Sequence, residues 1–293
     1  MSRQDLAAPA SAEDKSTDAE HRRGAGGRRV VASSTPFRPA KGKTVLTDDQ
    51  ITFFRENGYL LPGRQLFSGD KLDRLEAIFN EHLGDKGDKL SDELDTPHYR
   101  DERLLEFLLS DEVLDTVEPL VGPDIALWSS HFISKDPFTG RATPWHEDSA
   151  FWEGRFDAYD RIVTIWLALE NPSTVENGCM RVVPGSHLDG GFHDNYVPTD
   201  MSNQTFHAEI PDVDEAQAVD FELARGEFSM HDGRIVHGAK ANTSPVRRTG
   251  YTMRFFPTSV KLQEATIKDG WKIWLARGED RAGNPYANLP SRA

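Results

Sequence analysis

From residue 125 onward the chain breaks into short runs rich in β-branched and aromatic residues, parted by Gly, Pro and Asn turns. The runs lie at 125–134, 143–148, 161–169, 179–183, 217–222, 226–230, 234–237 and 248–257. Strands this short and this numerous point to a β-sandwich or barrel. The segment before them reads differently. Thr47 is suited to cap a helix, with Gln50 completing a capping box. Ile51, Phe53 and Phe54 carry that helix, and Asn57-Gly58 ends it. Tyr59–Leu61 then reads as a short strand. A second helix is expected from Ser68 to Leu83, with Leu72, Leu75, Ile78 and Phe79 on one face, and further helices near 101–109 and 111–120. The polar stretch 187–216 is long for a connection inside a compact domain, and such loops commonly serve as lids.

Charge divides the chain in two. Residues 1–43 hold nine Lys/Arg against five Asp/Glu; since the whole chain carries −14, the other 250 residues carry −18. The first segment lacks helical or strand periodicity and is expected to be a disordered basic tail. Residues 44–293 are expected to form one domain: a helical part over 44–121, a β core over 122–260 and a C-terminal extension over 261–293. An acidic body repels phosphate backbones, which argues against nucleic acid as a partner. No apolar run is long enough to span a membrane, and the N-terminal arginines precede no apolar stretch of the kind a secretory signal needs. With Cys179 the single cysteine, an internal disulfide is impossible and a reducing, cytoplasmic setting is expected.

Chemistry concentrates in two motifs. The first is Pro144-Trp-His-Glu-Asp148. In a strand, residues two apart share a face, so His146 and Asp148 can reach one point while Glu147 faces away. An imidazole and a carboxylate are two parts of the 2-His-1-carboxylate triad, which leaves positions open on iron(II). Alone, His-x-Asp is also an ordinary polar pattern. The second motif runs from Gly226 to Tyr251. It places His237 at the end of the run Arg234-Ile-Val-His237, with His231 six residues earlier and Asp232-Gly233 breaking the strand between them. Arg248 follows in the next strand, after an Asn242–Pro245 turn. An antiparallel neighbour would bring its guanidinium back towards the metal, where its planar fork matches a carboxylate bidentately. A zinc hydrolase could also use His, Asp and His, but would have no need of Arg248 at this spacing.

Taken together, these motifs resemble the phytanoyl-CoA dioxygenase family of iron(II)/2-oxoglutarate oxygenases. The matching residues are Pro144 to Trp152, Ile162 to Leu169, Glu176 to His187, and His231 to Gly238, followed by Asn242 and Arg248. The entry Phe54 to Leu60 and the ending Leu275 to Gly283 resemble family members as well, so the likeness spans roughly residues 45–283 in order. The resemblance implies a mainly β fold, a double-stranded β-helix of the jelly-roll or cupin type, with N-terminal helices packed on one sheet. It implies His146, Asp148 and His237 as ligands of iron(II), the last because the family's ligand directly precedes Gly238. It also implies Arg248 as the partner of the far carboxylate of 2-oxoglutarate, and Trp166 and His131 as residues lining that co-substrate. The implied reaction consumes O2 and 2-oxoglutarate, releases succinate and CO2, and hydroxylates an unactivated C–H bond of a small-molecule metabolite. Family members often carry Ser two residues after the last ligand; Ala239 stands there, so one co-substrate hydrogen bond is lost or replaced. Two rival readings are a non-catalytic cupin-like binding protein and a halogenase of the same fold, the latter opposed by Asp148 where halogenases have Gly or Ala.

The remaining polar residues have plainer expectations. His231 reads as a neighbour of the site, and His187 and Arg234 as structural. His193 and His207 belong to the expected lid, Arg247 to the surface, and Trp145 and Trp152 to the packing around the ligand strand. Cys179 reads as a small buried apolar residue.

Overall fold

The computed structural model describes residues 46–289, so the expected tail over 1–43 lies outside the described residues. Order opens where the capping residues place it. Helix α1 (Asp48–Asn57) starts at Thr47, whose side chain accepts from the Gln50 amide while the Gln50 side chain accepts from the Thr47 N–H. It ends at Gly58, with φ of 77°. The other helices are α2 (Gly69–Gly84), α3 (Leu105–Leu108), α4 (Asp111–Val121), α5 (Asp148–Phe151) and α6 (Glu264–Lys268). The first strands are β1 (Tyr59–Leu60), β2 (Leu94–Asp95), β3 (Ile125–Lys135), β4 (Thr143–His146), β5 (Val163–Ala168) and β6 (Met180–Val182). They are followed by β7 (Val197–Pro198), β8 (Ala208–Glu209), β9 (Val219–Asp220), β10 (Phe228–Asp232), β11 (His237–Ala239), β12 (Arg248–Pro257) and β13 (Trp274–Arg277).

Two antiparallel sheets make the double-stranded β-helix. The major sheet runs β1-β10-β5-β12-β3-β13, with β2 also pairing β3; the minor sheet runs β4-β11-β6-β9. Alternation along the major sheet explains why helices cover one side and chemistry occupies the other. Val163, Ile165 and Leu167 of β5, Tyr251, Met253 and Phe255 of β12, and Phe228 and Met230 of β10 join one buried cluster with Leu72, Leu75 and Phe79 of α2 and Val113, Leu114 and Val117 of α4. Each such side chain contributes on the order of 1.5–3 kcal/mol by leaving water. The intervening residues point inward: Thr164 and Trp166; Arg248, Gly250, Thr252 and Arg254; Ser229 and His231. Apolar plugs cap the two ends of this interior. One contains Trp166, Met180, Val182 and Phe221, the other Trp128, Trp152, Phe156 and Phe256. No helix among the described residues is long and apolar enough to cross a membrane.

Candidate metal centre

His146 and His237 stand directly opposite each other across the β4–β11 pair, which sets their ring centroids 4.1 Å apart. Each ring is oriented by its own strand. Nδ1 of His146 lies 2.8 Å from the Pro144 carbonyl, and Nδ1 of His237 lies 2.9 Å from the Ile235 carbonyl. A carbonyl only accepts, so Nδ1 carries the proton and Nε2 keeps its lone pair free. Gly238 permits this approach, since a Cβ there would come within 3.0 Å of the Thr143 carbonyl oxygen.

Asp148 arrives by a different route from the one its spacing suggests. The strand expected over 143–148 ends at His146; Glu147 is extended, and Asp148 opens the short helix α5, held by the Ser149 N–H donating to the Gly233 carbonyl at 2.8 Å. The two residues still converge, with Asp148 Oδ1 3.9 Å from His146 Nε2, but through a strand-to-helix turn rather than strand parity. Likewise the strand expected at 234–237 begins only at His237. One donor atom from each of His146, Asp148 and His237 lies within 4.8 Å of the others, and all three residues are buried. Burial keeps both imidazoles neutral, with the neighbouring His146 adding to the effect at His237. Neutral imidazoles are the form that binds a metal. Two nitrogens and one oxygen gathered on one side fit a divalent ion with further positions open, unlike a closed four-ligand structural site.

The other oxygen of Asp148 is already engaged. Oδ2 lies 3.4 Å from Arg254 Nε, 3.4 Å from Thr164 Oγ1 and 3.8 Å from His231 Nε2. Burial pushes this carboxyl up, but the Arg254 guanidinium and the nearby imidazoles outweigh it and hold the group well below the usual carboxylate range. His231 is buried beside the trio, its ring 4.9 Å from His237, with Asp148 Oδ2 just beyond hydrogen-bond distance of its Nε2. Arg254 was not singled out in the sequence. Its signal was there, because it follows Arg248 by an even number of residues in one strand and so shares its face.

Arg248 reaches the interior from the opposite sheet. β12 does not pair with β11, as the sequence suggested, but with β3 and β5. The guanidinium therefore crosses the sandwich from the major sheet. It lies 5.1 Å over the Trp166 ring, and Gly250 makes room for that ring, since a Cβ there would come within 2.2 Å of it. Arg248 is 2% exposed and its Nε has no partner; burial pulls its pKa down to about 10. His131 enters from β3 on the same face of the sheet as Thr252. It stands opposite Thr252, donates from Nε2 to the Asp92 carbonyl at 3.0 Å, and sets Nδ1 3.8 Å from Asp95. Of the two expected lining residues, Trp166 thus touches Arg248 while His131 is tied to the β2 region.

The family model described as Phytanoyl-CoA dioxygenase (PhyH) matches residues 54–250. The chain belongs to the phytanoyl-CoA dioxygenase family. Phytanoyl-CoA dioxygenase family members are iron(II)- and 2-oxoglutarate-dependent oxygenases that also consume O2, and this family member shares that reaction class. Among curated relatives, a phytanoyl-CoA dioxygenase domain-containing protein 1 homolog of Caenorhabditis elegans is 27% identical over 221 residues, covering 71% of this chain and 74% of the relative. The Dictyostelium discoideum homolog is 30% identical over 213 residues, covering 71% and 67%. Among solved structures, the non-haem monooxygenase ThoJ superposes with a TM-score of 0.67 at 24% identity, covering 83% of this chain and 88% of that one. CytC3 with Fe(II) and alpha-ketoglutarate gives 0.61 at 21% identity, covering 83% and 93%. At these identities the likeness is one of fold.

The segment 187–216 packs against the strand that carries His146. Phe206 packs edge-on against His146, with centroids 4.6 Å apart, and Phe151 lies 4.7 Å from Phe206. Two side chains pin the segment. His187 places Nε2 3.0 Å from the Arg55 carbonyl, a structural role as expected. His193, expected to meet solvent or substrate, instead binds Glu147 through Nδ1 at 2.6 Å and through its N–H at 3.1 Å. Glu147 is fully buried and anchors this segment through His193. Arg234 pairs with Asp232, Arg247 with Asp136 and Glu170, and Cys179 is buried.

Proposed function

We propose that this oxygenase hydroxylates an unactivated C–H bond of a small-molecule metabolite, with His146, Asp148 and His237 holding iron(II) and Arg248 receiving the far carboxylate of 2-oxoglutarate. The bound iron and its co-substrate would supply the oxidising chemistry, with succinate and CO2 as by-products. The chain's own work is to hold, orient and enclose. One observation carries the reading: three donor atoms converge in an interior that also receives a buried guanidinium whose Nε has no hydrogen-bond partner. An unpaired buried cation is costly, on the order of several kcal/mol. A dicarboxylate that chelates the metal with its 2-oxo-acid end and extends its other end to Arg248 removes that cost.

Retention of Asp148 favours hydroxylation over halogenation. Phe151 and Phe206 offer an apolar wall beside His146, and the strongly acidic body provides no polybasic cradle for coenzyme A, which favours a free metabolite with an apolar reacting segment. Anaerobic addition of 2-oxoglutarate to the iron(II)-loaded protein is expected to give a weak visible charge-transfer band. A metabolite screen for stimulated succinate formation, with mass detection of one added oxygen atom, then identifies the substrate. Activity supported by zinc, with iron inert, overturns the reading; a tight co-substrate complex that never turns over with any candidate favours a binding protein.

A further inference from the structure

Lys135 is the anomaly left in the interior. It is fully buried, and it stands directly opposite Arg248 in the β3–β12 register, so two cationic side chains enter the same space from neighbouring strands. Its amine crosses between the sheets and donates to the carbonyls of Lys240 at 2.6 Å and Ala239 at 3.4 Å, just past His237. Carbonyl oxygens satisfy the hydrogens but not the charge. The carboxylate that acts electrostatically on both cations is Asp92, and Arg141 already holds it in a two-pronged pair at 2.6 and 3.1 Å. Two buried cations side by side, with their nearest counter-charge spent elsewhere, describe a receptor for an anion.

We propose that Lys135 is a binding residue for the co-substrate, forming with Arg248 a two-cation clamp on the far carboxylate of a 2-oxo dicarboxylate. This rests on the functional reading above. The clamp explains why a lysine, rather than an apolar residue, crosses the sandwich here, and the carbonyls past His237 that hold its amine tie the clamp to the strand that carries His237. It also predicts a proton. Burial first, and then the Arg248 cation, lower the affinity of the Lys135 amine for its proton well below the ordinary lysine range. The charged or titratable groups acting on it are Arg248 from β12, Asp92 with Arg141, and Cys179. An arriving carboxylate raises that affinity again, so binding draws a proton from solvent, and co-substrate affinity weakens as pH rises between the free-state and bound-state values.

The test uses the iron(II)-loaded full chain under anaerobic conditions, with 2-oxoglutarate titrated by calorimetry and by the charge-transfer band. Lys135→Gln keeps an amide to donate to the two carbonyls but removes the charge. It should weaken 2-oxoglutarate binding about ten- to hundredfold while iron binding persists. Should that variant not fold, the unaltered protein decides: 2-oxoglutarate affinity followed across pH should weaken as pH rises, and calorimetry in two buffers of different ionisation enthalpy should show net proton uptake over the pH range where it weakens. Wild-type-like binding by Lys135→Gln, or no proton uptake by the unaltered protein, overturns the clamp. Arg248→Ala separates this failure from a deeper one: if it too leaves 2-oxoglutarate binding unchanged, the co-substrate reading itself fails.

Discussion

The two ends of the interior are charged in opposite ways. At the metal end the anion is satisfied before any ligand arrives: Asp148 already has Arg254, Thr164 and His231 around its Oδ2. At the other end the cations wait, with Arg248 stacked on Trp166 and Lys135 held by carbonyls. The metal end is preorganised without its ligand, whereas the far end is strained by the lack of one. Metal should therefore bind without much adjustment of the fold, and a dicarboxylate should stabilise the protein as well as enable turnover.

Removing Asp148 breaks the comparison most severely. Asp148→Ala deletes one donor and its charge, and turnover with the eventual substrate should vanish; wild-type hydroxylation in this variant would show that the carboxylate is no ligand. Next comes Arg248→Ala, which leaves the far carboxylate of the co-substrate unpaired. Loss of a buried charge partner costs about 2–5 kcal/mol, or roughly 30- to several-thousand-fold in affinity, so KM for 2-oxoglutarate should rise steeply while iron binding persists. Arg248→Lys should recover only part of this, lacking the fork. Arg247→Ala, at a partly exposed residue paired with Asp136 and Glu170, should change little; a larger defect there would shift the assignment by one residue.

Arg254→Met sharpens the contrast by making the metal end resemble the far end. It strands a buried carboxylate, a change that costs about 3–5 kcal/mol. The metal-free protein should melt well below wild type, and iron(II) should restore more than it adds to wild type, because the cation takes over as counter-charge. Equal losses with and without iron would mean that Arg254 acts on packing alone. The smallest effect belongs to the connection that His193 pins. Glu147→Gln weakens the charge-assisted bond to His193, worth about 1.5–3 kcal/mol, so amide exchange across residues 190–198 should quicken and KM for the organic substrate rise modestly, with the iron site intact.

Much of this was legible in the sequence because local rules governed it. The Thr47–Gln50 capping box, the Gly58 stop, the α2 face and the alternation in β5 and β12 all follow from neighbours along the chain; the fold class was read correctly from motif and resemblance, and the same motifs named the three residues that the fold gathers at one point. What failed were inferences that needed the third dimension. Strand parity was invoked for Asp148, yet a turn delivers it. Arg248 was routed through a strand neighbouring β11, yet it enters the interior from the other sheet. The roles of Lys135 and Glu147 could not be read locally, since their partners lie far away in sequence, at Ala239–Lys240 and His193.

The connection that packs on His146 has a second consequence. β4 is one edge of the minor sheet, and an uncovered edge invites pairing with another chain. Pro144 withholds one donor there, and the connection covers much of the rest: Ala142 and Gln204 form a parallel bridge, and the Ile210 N–H donates to the Trp145 carbonyl at 2.8 Å. The stretch of chain that packs on His146 thus also shields a strand edge from self-association. Engineering that loosens it to admit bulkier molecules would uncover a strand edge beside Trp145, and poor solubility is the expected companion of a widened substrate range.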